Sequence, residues 1–218
     1  MDSAGTAPFA GVILDLDGLL LDTERWAVAR GPDLFGAHGL GFSTAFFHSL
    51  IGLTDVEGAR RMSEAAGRPV SPDFVDRVWK DAMMQAGHPI PLRPGVDAFL
   101  DALDAKGLPR AIATNSLTER AEWKLGSVGL LGRVGPVVGR DQVRQGKPAP
   151  DLYVEAARRL GLEPRQCAAL DDSDPGVRAA VAAGIRTVVQ VPDMAPSVEF
   201  LAHHQAVSLE AARHALGF

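Results

Sequence analysis

The sequence predicts a doubly wound parallel α/β sheet that carries an inserted α-helical cap domain. Short apolar runs alternate with helical stretches along most of the chain, and one long segment near the start lacks any strand-like run. Alternation of this kind is typical of an open sheet with helices on both faces. A chain of 218 residues is long enough for one such domain with an insert.

The predicted strands are short apolar runs. Residues 11–16 read Gly-Val-Ile-Leu-Asp-Leu and are apolar up to an acid, which is typical of a strand covered on both faces of a parallel sheet. Similar runs span residues 110–114, 136–139, 167–170 and 187–191. Helices are predicted between them. We expect Ser116 and Glu119 to form the capping box of one helix, and Asp174 to cap another that begins at Pro175.

The segment without strands is predicted to form the cap. It contains several helix-start signals, at Ser43, Thr54 and Ser71, and a proline-rich stretch over residues 87–94 marks its end. We therefore assign residues 1–22 and 90–218 to the α/β core domain and residues 23–89 to the cap.

Composition excludes several classes of protein. The net charge of −5 and the lack of any basic run argue against a nucleic-acid partner. No apolar stretch approaches the roughly 20 residues of a membrane-spanning helix. Cys167 is the only cysteine, which excludes an internal disulfide and favours a reducing cytoplasm. The first ten residues lack the features of a secretory signal and are expected to be a loose tail.

Two acidic pairs follow predicted strands. Asp15 and Asp17 end the first strand, and Asp171 and Asp172 end the run at 167–170. Carboxyl ends of parallel strands face the ligand site, and two carboxylates about 4 Å apart repel by about 4 kcal/mol at an effective dielectric near 20. A hard divalent cation would offset this repulsion, and Mg²⁺ accepts carboxylate ligands. The first pair alone also fits an ordinary turn.

Groups that bind phosphate lie between the two acidic pairs. Thr114 and Asn115 follow a third strand, and Lys147 lies between Gly146 and Pro148. A hydroxyl and an amide at a helix N-terminus, with a cation opposite, form a phosphate site. Since Ser116 is expected to cap its helix, Thr114 is the hydroxyl that is freer to face the site.

Together these segments resemble a known family. The order Asp15-x-Asp17-Gly-x-Leu-x-Asp22, Thr114-Asn-Ser116, Lys147-Pro148 and Asp171-Asp172-Ser is similar to the four motifs of the haloacid dehalogenase superfamily. Its phosphatase and β-phosphoglucomutase-like branch also has a small helical cap after the first motif. The resemblance extends from about Val12 to Val191.

The resemblance implies a mechanism. Asp15 would attack phosphorus to form an aspartyl-phosphate, and Asp17 would act as general acid and then base. Mg²⁺ would be held by the Asp15 carboxylate, the Asp17 backbone carbonyl and Asp172, with Asp171 touching the metal or lying just behind it. Phosphate and substrate would be bound by Thr114, Asn115, Lys147 and the cap loop at Gly52. Since Asp17 must donate a proton, its pKa is expected to lie above about 3.9.

Three functions remain open at this point. The first is a phosphatase acting on a small phosphorylated metabolite, such as a sugar phosphate or a phosphoglycolate-like ester, as a monomer or weak homodimer. The second is a phosphosugar mutase, which is weakened because Asp55 stands where the mutases usually have arginine. The third is a catalytically silent binding protein on the same scaffold. A dehalogenase is disfavoured because that branch lacks the second acid, here Asp17.

Overall fold

The computed structural model describes residues 9–51, 53, 55–84 and 90–218. They divide into two compact units. One contains the described residues up to Leu21 together with Leu92–Phe218, and the other is Asp22–Pro91. Gly52, which we assigned to substrate binding, and the predicted helix cap Thr54 lie outside the described residues.

The first unit is built on a parallel sheet. In the described part of the chain it has six strands in the order β3-β2-β1-β4-β5-β6, and every neighbouring pair is parallel. This confirms the predicted fold class. The strands are β1 Gly11–Leu14, β2 Arg110–Ala113, β3 Val137–Val138, β4 Cys167–Asp171, β5 Thr187–Gln190 and β6 His204–Gln205.

Strand β6 was not predicted. It consists of two exposed polar residues at the edge of the sheet, so it lacks the apolar run by which a buried strand is recognised. Its position depends on backbone pairing with β5, in which Val189 pairs with His204.

The second unit is helical, and helices of the first unit pack against its own sheet. The second unit contains α1 Thr23–Gly36, α2 Thr44–His48, α3 Asp55–Ala66 and α4 Pro72–Met84. In the first unit the helices are α5 Val96–Ala105, α6 Thr118–Ser127, α7 Asp151–Arg159, α8 Asp174–Ala182 and α9 Leu209–Ala215. None of these helices, within the described ranges, has both the length and the apolar character required to cross a membrane.

One face of the sheet packs against α7 and α8. Alternate strand residues such as Ile13 and Ala169 form a buried cluster with Tyr153 and Ala156 of α7 and Val177 of α8. The period of two in the strands and the i, i+3 spacing in α7 are the patterns that bring these residues to a shared interface. This packing fixes α7 against one face of the sheet.

Two predicted helix caps are wrong. The N-cap of α6 is Leu117, whose side chain cannot accept a hydrogen bond, and the Thr118 amide donates to Asp141 Oδ1 at 2.7 Å. The N-cap of α8 is Ser173, in extended backbone conformation, whose hydroxyl accepts from the Gly176 amide at 3.2 Å. Ser116 and Asp174 are therefore available for other contacts. The predicted cap at Ser43 is confirmed by a hydrogen bond from the Phe46 amide.

Candidate functional site

The carboxyl ends of β1 and β4 bring two acids to one place. These strands are parallel neighbours in which Leu14 pairs with Leu170, and the Asp15 amide donates to the Leu170 carbonyl at 3.0 Å. Asp15 and Asp171 therefore leave the sheet side by side. Both side chains are buried, with 6% and 0% of the residue exposed, so their charges need partners within the protein.

Lys147 supplies that partner. Its ammonium donates to Asp171 Oδ2 at 2.7 Å and also to Asp15 Oδ1, and only 4% of its side chain is exposed. Because the cation lies between two carboxylates, it offsets their repulsion. The structure thus brings Lys147 into the acidic site, where the sequence analysis placed it.

Asn115 holds the loop that carries Lys147. Its Oδ1 accepts from the Lys147 amide at 2.9 Å, and its Nδ2 donates to the Lys147 carbonyl at 3.3 Å. A Cβ at the preceding residue, Gly146, would lie 2.4 Å from Asn115 Oδ1, so a larger residue there would displace the Asn115 side chain. We assigned Asn115 to phosphate binding, but the side-chain contacts in the structure are to the backbone of Lys147.

Asp171 is surrounded by donors from the chain itself. Its Oδ1 accepts from the backbone amide and the hydroxyl of Ser173, and its Oδ2 accepts from Lys147 and from the Tyr153 hydroxyl at 2.6 Å. A Cβ at Gly176 would lie 1.9 Å from this carboxylate. Since both oxygens are engaged, Asp171 anchors Lys147 and is a less suitable metal ligand than we expected.

Asp17 is held by two donors. The Ser116 hydroxyl donates to Asp17 Oδ2 at 2.8 Å, and the ammonium of Lys124 donates to Oδ1 at 2.6 Å. The preference for Ser116 as a helix cap is therefore wrong, because its hydroxyl faces the site. About 30% of the Asp17 side chain is exposed, so it is accessible from solvent.

The sequence analysis missed Lys124. This residue is buried on α6, with 3% of its surface exposed. A signal was present, because Ala121, Lys124 and Leu125 are the buried residues of α6 and follow the i, i+3, i+4 spacing of an inward helix face. A lysine on such a face requires an acidic partner.

Thr114 directly follows β2. It is buried, with 1% exposed, and its Oγ1 accepts from the Ser116 amide at 3.1 Å. This contact shapes the turn after β2 and so positions Ser116. We expected Thr114 to face the site in place of Ser116. The structure brings the Ser116 hydroxyl to Asp17, and phosphate binding by Thr114 stays a prediction.

Asp172 lies against the turn that follows Asp17. Gly18 has a φ of +86°, and a Cβ there would lie 2.2 Å from Asp172 Oδ2. Glycine adopts the left-handed backbone without strain and leaves room for this approach. The two acidic segments predicted from the sequence therefore meet in the fold.

The pKa of Asp15 is raised to about 7. Burial is the largest cause, the positive charge of Lys147 opposes it, and the negative charge of Asp171 adds to it. The pKa of Lys147 is also raised, because attraction to Asp15 and Asp171 outweighs the effect of its burial. A buried carboxylate with a raised pKa is a common feature of functional sites.

The pKa of Asp17 lies below its ordinary value. Burial raises it, but the charge of Lys124 and the hydrogen bonds from Lys124 and Ser116 lower it further than burial raises it, with a smaller effect of Arg120. The pKa of Asp17 therefore does not show the rise that we expected. The reason is Lys124, which the motif pattern did not include.

The donor set fits a hard cation in part. Among residues 9–51, 53, 55–84 and 90–218, no three His, Cys, Asp or Glu side chains form a ready metal cluster. Mg²⁺, however, commonly takes one or two carboxylates and fills its other positions with water and substrate phosphate. The buried Asp15 carboxylate, whose burial raises its pKa, and Asp172 against Gly18 are oxygen donors of the required kind.

Comparison with known proteins matches most of the chain. The family model described as haloacid dehalogenase-like hydrolase matches residues 9–184. The fructose-1-phosphate phosphatase YqaB of Escherichia coli (strain K12) is 31% identical over 184 residues, which cover 83% of this chain and 95% of that protein.

A longer relative and a solved structure also match most of the chain. The bifunctional riboflavin kinase/FMN phosphatase of Arabidopsis thaliana is 31% identical over 192 residues, which cover 84% of this chain and 48% of that protein, so the chain spans about half of its length. A HAD family hydrolase from Deinococcus radiodurans R1, solved with bound phosphate and sodium, superposes with a TM-score of 0.74 at 28% identity and covers 96% of both chains.

Proposed function

Because this chain belongs to the haloacid dehalogenase-like hydrolase family, we propose that it is a Mg²⁺-dependent phosphohydrolase that forms an aspartyl-phosphate at Asp15. Its substrate is a small phosphorylated metabolite. Family recognition from the four motifs is confirmed, and so is the class of enzyme, since the curated relatives include phosphatases.

One observation supports the proposal above the others. A carboxylate at the end of β1 contacts a buried lysine and lies beside a second acid, Asp17, that is partly exposed. A nucleophile, a cation for the phosphoryl group and a proton carrier are the groups that phosphoryl transfer through a covalent intermediate requires. A silent binding protein would have no need for this combination.

Asp15 is proposed as the nucleophile. One of its carboxylate oxygens forms a bond to phosphorus while the bond from phosphorus to the leaving oxygen breaks. The carboxylate must be ionised to attack, and the Lys147 ammonium stabilises the ionised form. Mg²⁺, held by the Asp15 carboxylate, the Asp17 backbone carbonyl and Asp172, would neutralise charge on the phosphoryl oxygens.

Asp17 is proposed as the proton carrier. It gives a proton to the departing oxygen and then takes one from the water that hydrolyses the acyl phosphate. Its carboxylate is oriented by Ser116 and Lys124. Lys147 serves the transferring phosphoryl, while Asn115 and Asp171 hold Lys147 in place. Gly52 remains a prediction from the family resemblance, and the buried free thiol of Cys167 is compatible with a reducing cytoplasm.

A phosphate-ester panel tests the proposal. The purified protein is expected to release inorganic phosphate with Mg²⁺ and to lose activity when EDTA removes the metal. Acid quenching during turnover, followed by borohydride reduction, should convert an aspartyl-phosphate into homoserine at position 15, which peptide mass spectrometry can locate. Asp15→Asn should be folded and inactive.

The outcomes separate the alternatives. Turnover by Asp15→Asn, or homoserine at another position, would exclude the proposed nucleophile. Absence of turnover on every ester would favour the silent binding protein. An isomeric sugar phosphate formed from a hexose phosphate and its bisphosphate, in place of inorganic phosphate, would identify a mutase.

A further inference from the structure

We propose that Lys124 is a positioning residue that orients the Asp17 carboxylate for proton transfer to the leaving group. This inference rests on the proposed function, because it assigns a role within the same site. Neither the four motifs nor their spacing includes Lys124, which lies on α6 after the second motif.

The geometry is a closed triangle of polar groups. Lys124 Nζ lies 2.6 Å from Asp17 Oδ1, Ser116 Oγ lies 2.8 Å from Asp17 Oδ2, and Lys124 Nζ lies 3.2 Å from Ser116 Oγ. Each carboxylate oxygen therefore has its own donor. Rotation of the carboxylate about its last side-chain bond would break both hydrogen bonds, so one orientation is favoured.

The burial of Lys124 indicates that a lysine stands at this position because of its contacts with Asp17 and Ser116. The neighbours of Lys124 on the inward face of α6 are Ala121 and Leu125, and all three are buried. An aliphatic side chain at this position would pack against the same core without any need for a partner. A buried ammonium is favourable only when it is paired and hydrogen-bonded, and Asp17 and Ser116 supply those contacts.

The two buried lysines serve different acids. Lys147 contacts Asp15 and Asp171, whereas Lys124 contacts Asp17 and Ser116. Removal of Lys124 therefore deletes contacts of Asp17 and Ser116 and should affect mainly the step in which Asp17 moves a proton. In that step the proton passes from an Asp17 oxygen to the leaving oxygen as the bond between that leaving oxygen and phosphorus breaks. An Asp17 carboxylate oxygen that accepts one hydrogen bond still has a lone pair that can hold this proton.

The leaving group provides the test. An alkoxide needs a proton as it departs, whereas p-nitrophenolate departs readily without one. We expect Lys124→Met to reduce kcat/KM for an alkyl phosphate that the wild type hydrolyses by at least about tenfold more than for p-nitrophenyl phosphate, within the roughly 10²–10⁴-fold range of general acid catalysis. Lys106→Met, at an exposed lysine of the same unit, is the matched control and should change neither value.

A second comparison links the effect to Asp17. In the Asp17→Asn background, Lys124→Met should cause no further loss on the alkyl phosphate. Lys124→Gln keeps a donor and should lose less than Lys124→Met; it also carries the test if Lys124→Met does not fold.

Equal losses on both substrates, or no loss on either, would overturn the positioning role while wild-type turnover still supports the phosphohydrolase. A wild type that hydrolyses no ester would overturn the proposed function itself, and with it this inference.

Discussion

The hydroxyl of Tyr153 donates a 2.6 Å hydrogen bond to Asp171 Oδ2, the oxygen that also accepts from Lys147. Tyr153 is fully buried on α7, and burial together with the charge of Asp171 raises its pKa well above the ordinary value. The phenol therefore stays neutral and remains a donor. Through this contact α7 helps to hold Asp171, which in turn anchors Lys147.

Tyr153→Phe removes that donor without changing the shape of the ring. We expect a loss of about 1–3 kcal/mol in the free energy of unfolding, because a buried charged acceptor loses a hydrogen bond. Turnover should fall severalfold because Lys147 is less firmly anchored. Urea unfolding and steady-state kinetics measure both, and unchanged values in both would show that this contact has no role.

Lys147→Met removes the cation between Asp15 and Asp171. We expect a loss in kcat/KM of about 10²-fold or more, since in the proposed mechanism this charge stabilises the transferring phosphoryl group. Stability should also fall, by about 3–5 kcal/mol, because two buried carboxylates lose their partner. Lys106→Met is the control, and activity equal to that of the control would remove Lys147 from the site.

Gly18→Ala tests the approach of Asp172 to the turn. The added Cβ would lie 2.2 Å from Asp172 Oδ2, whereas at Gly107, which also has a positive φ, a Cβ meets no described atom within 4 Å. Each substitution places alanine in left-handed backbone, at a cost of about 1–2 kcal/mol. Gly18→Ala should in addition displace Asp172 and weaken Mg²⁺ binding, while Gly107→Ala should not.

The increase in Tm on adding Mg²⁺ measures this difference. Ligand at about 100 times its dissociation constant stabilises a protein by about 2.7 kcal/mol. Wild type and Gly107→Ala should show the same increase, and Gly18→Ala a smaller one. Equal increases in all three proteins would show that Asp172 does not contribute to Mg²⁺ binding.

The hydrogen bonds to Asp174 lead us to expect that the stability of the protein depends on pH. Burial raises its pKa, but hydrogen bonds from the Gln190 side chain, the Ser197 hydroxyl and the Val198 and Glu199 amides bring it below the ordinary value of 3.8. A folded-state pKa below the unfolded-state pKa means that the stabilisation is complete above the unfolded-state value. It is lost as the pH falls through the folded-state pKa.

Asp174→Asn should therefore destabilise the protein by about 1–3 kcal/mol at pH 7, because an amide cannot replace a carboxylate that accepts from several donors. The difference from wild type should shrink in acid, where the wild-type carboxylate is protonated. Urea unfolding at a series of pH values checks this, and a difference independent of pH would contradict the role of the charge.

Local sequence patterns were sufficient for the fold class and for most strand positions. A strand buried on both faces must be continuously apolar, so β1 and β4 could be recognised, and their terminal acids marked the site. Strand β6 has no such pattern because its residues are exposed at the edge of the sheet, where polar side chains are also tolerated. Two helix starts were wrong because a neighbouring residue or a distant acid took the capping role.

The sequence by itself determined the family, the α/β sheet and the acids and lysine that meet at its edge, because each depends on a motif or a run of a few residues. Only the tertiary structure decided which donors reach each carboxylate. Ser116 and Lys124 lie 99 and 107 residues from Asp17 along the chain, so no local pattern joins them. The pKa of Asp17 depends on that pairing, since burial and a nearby charge act through space.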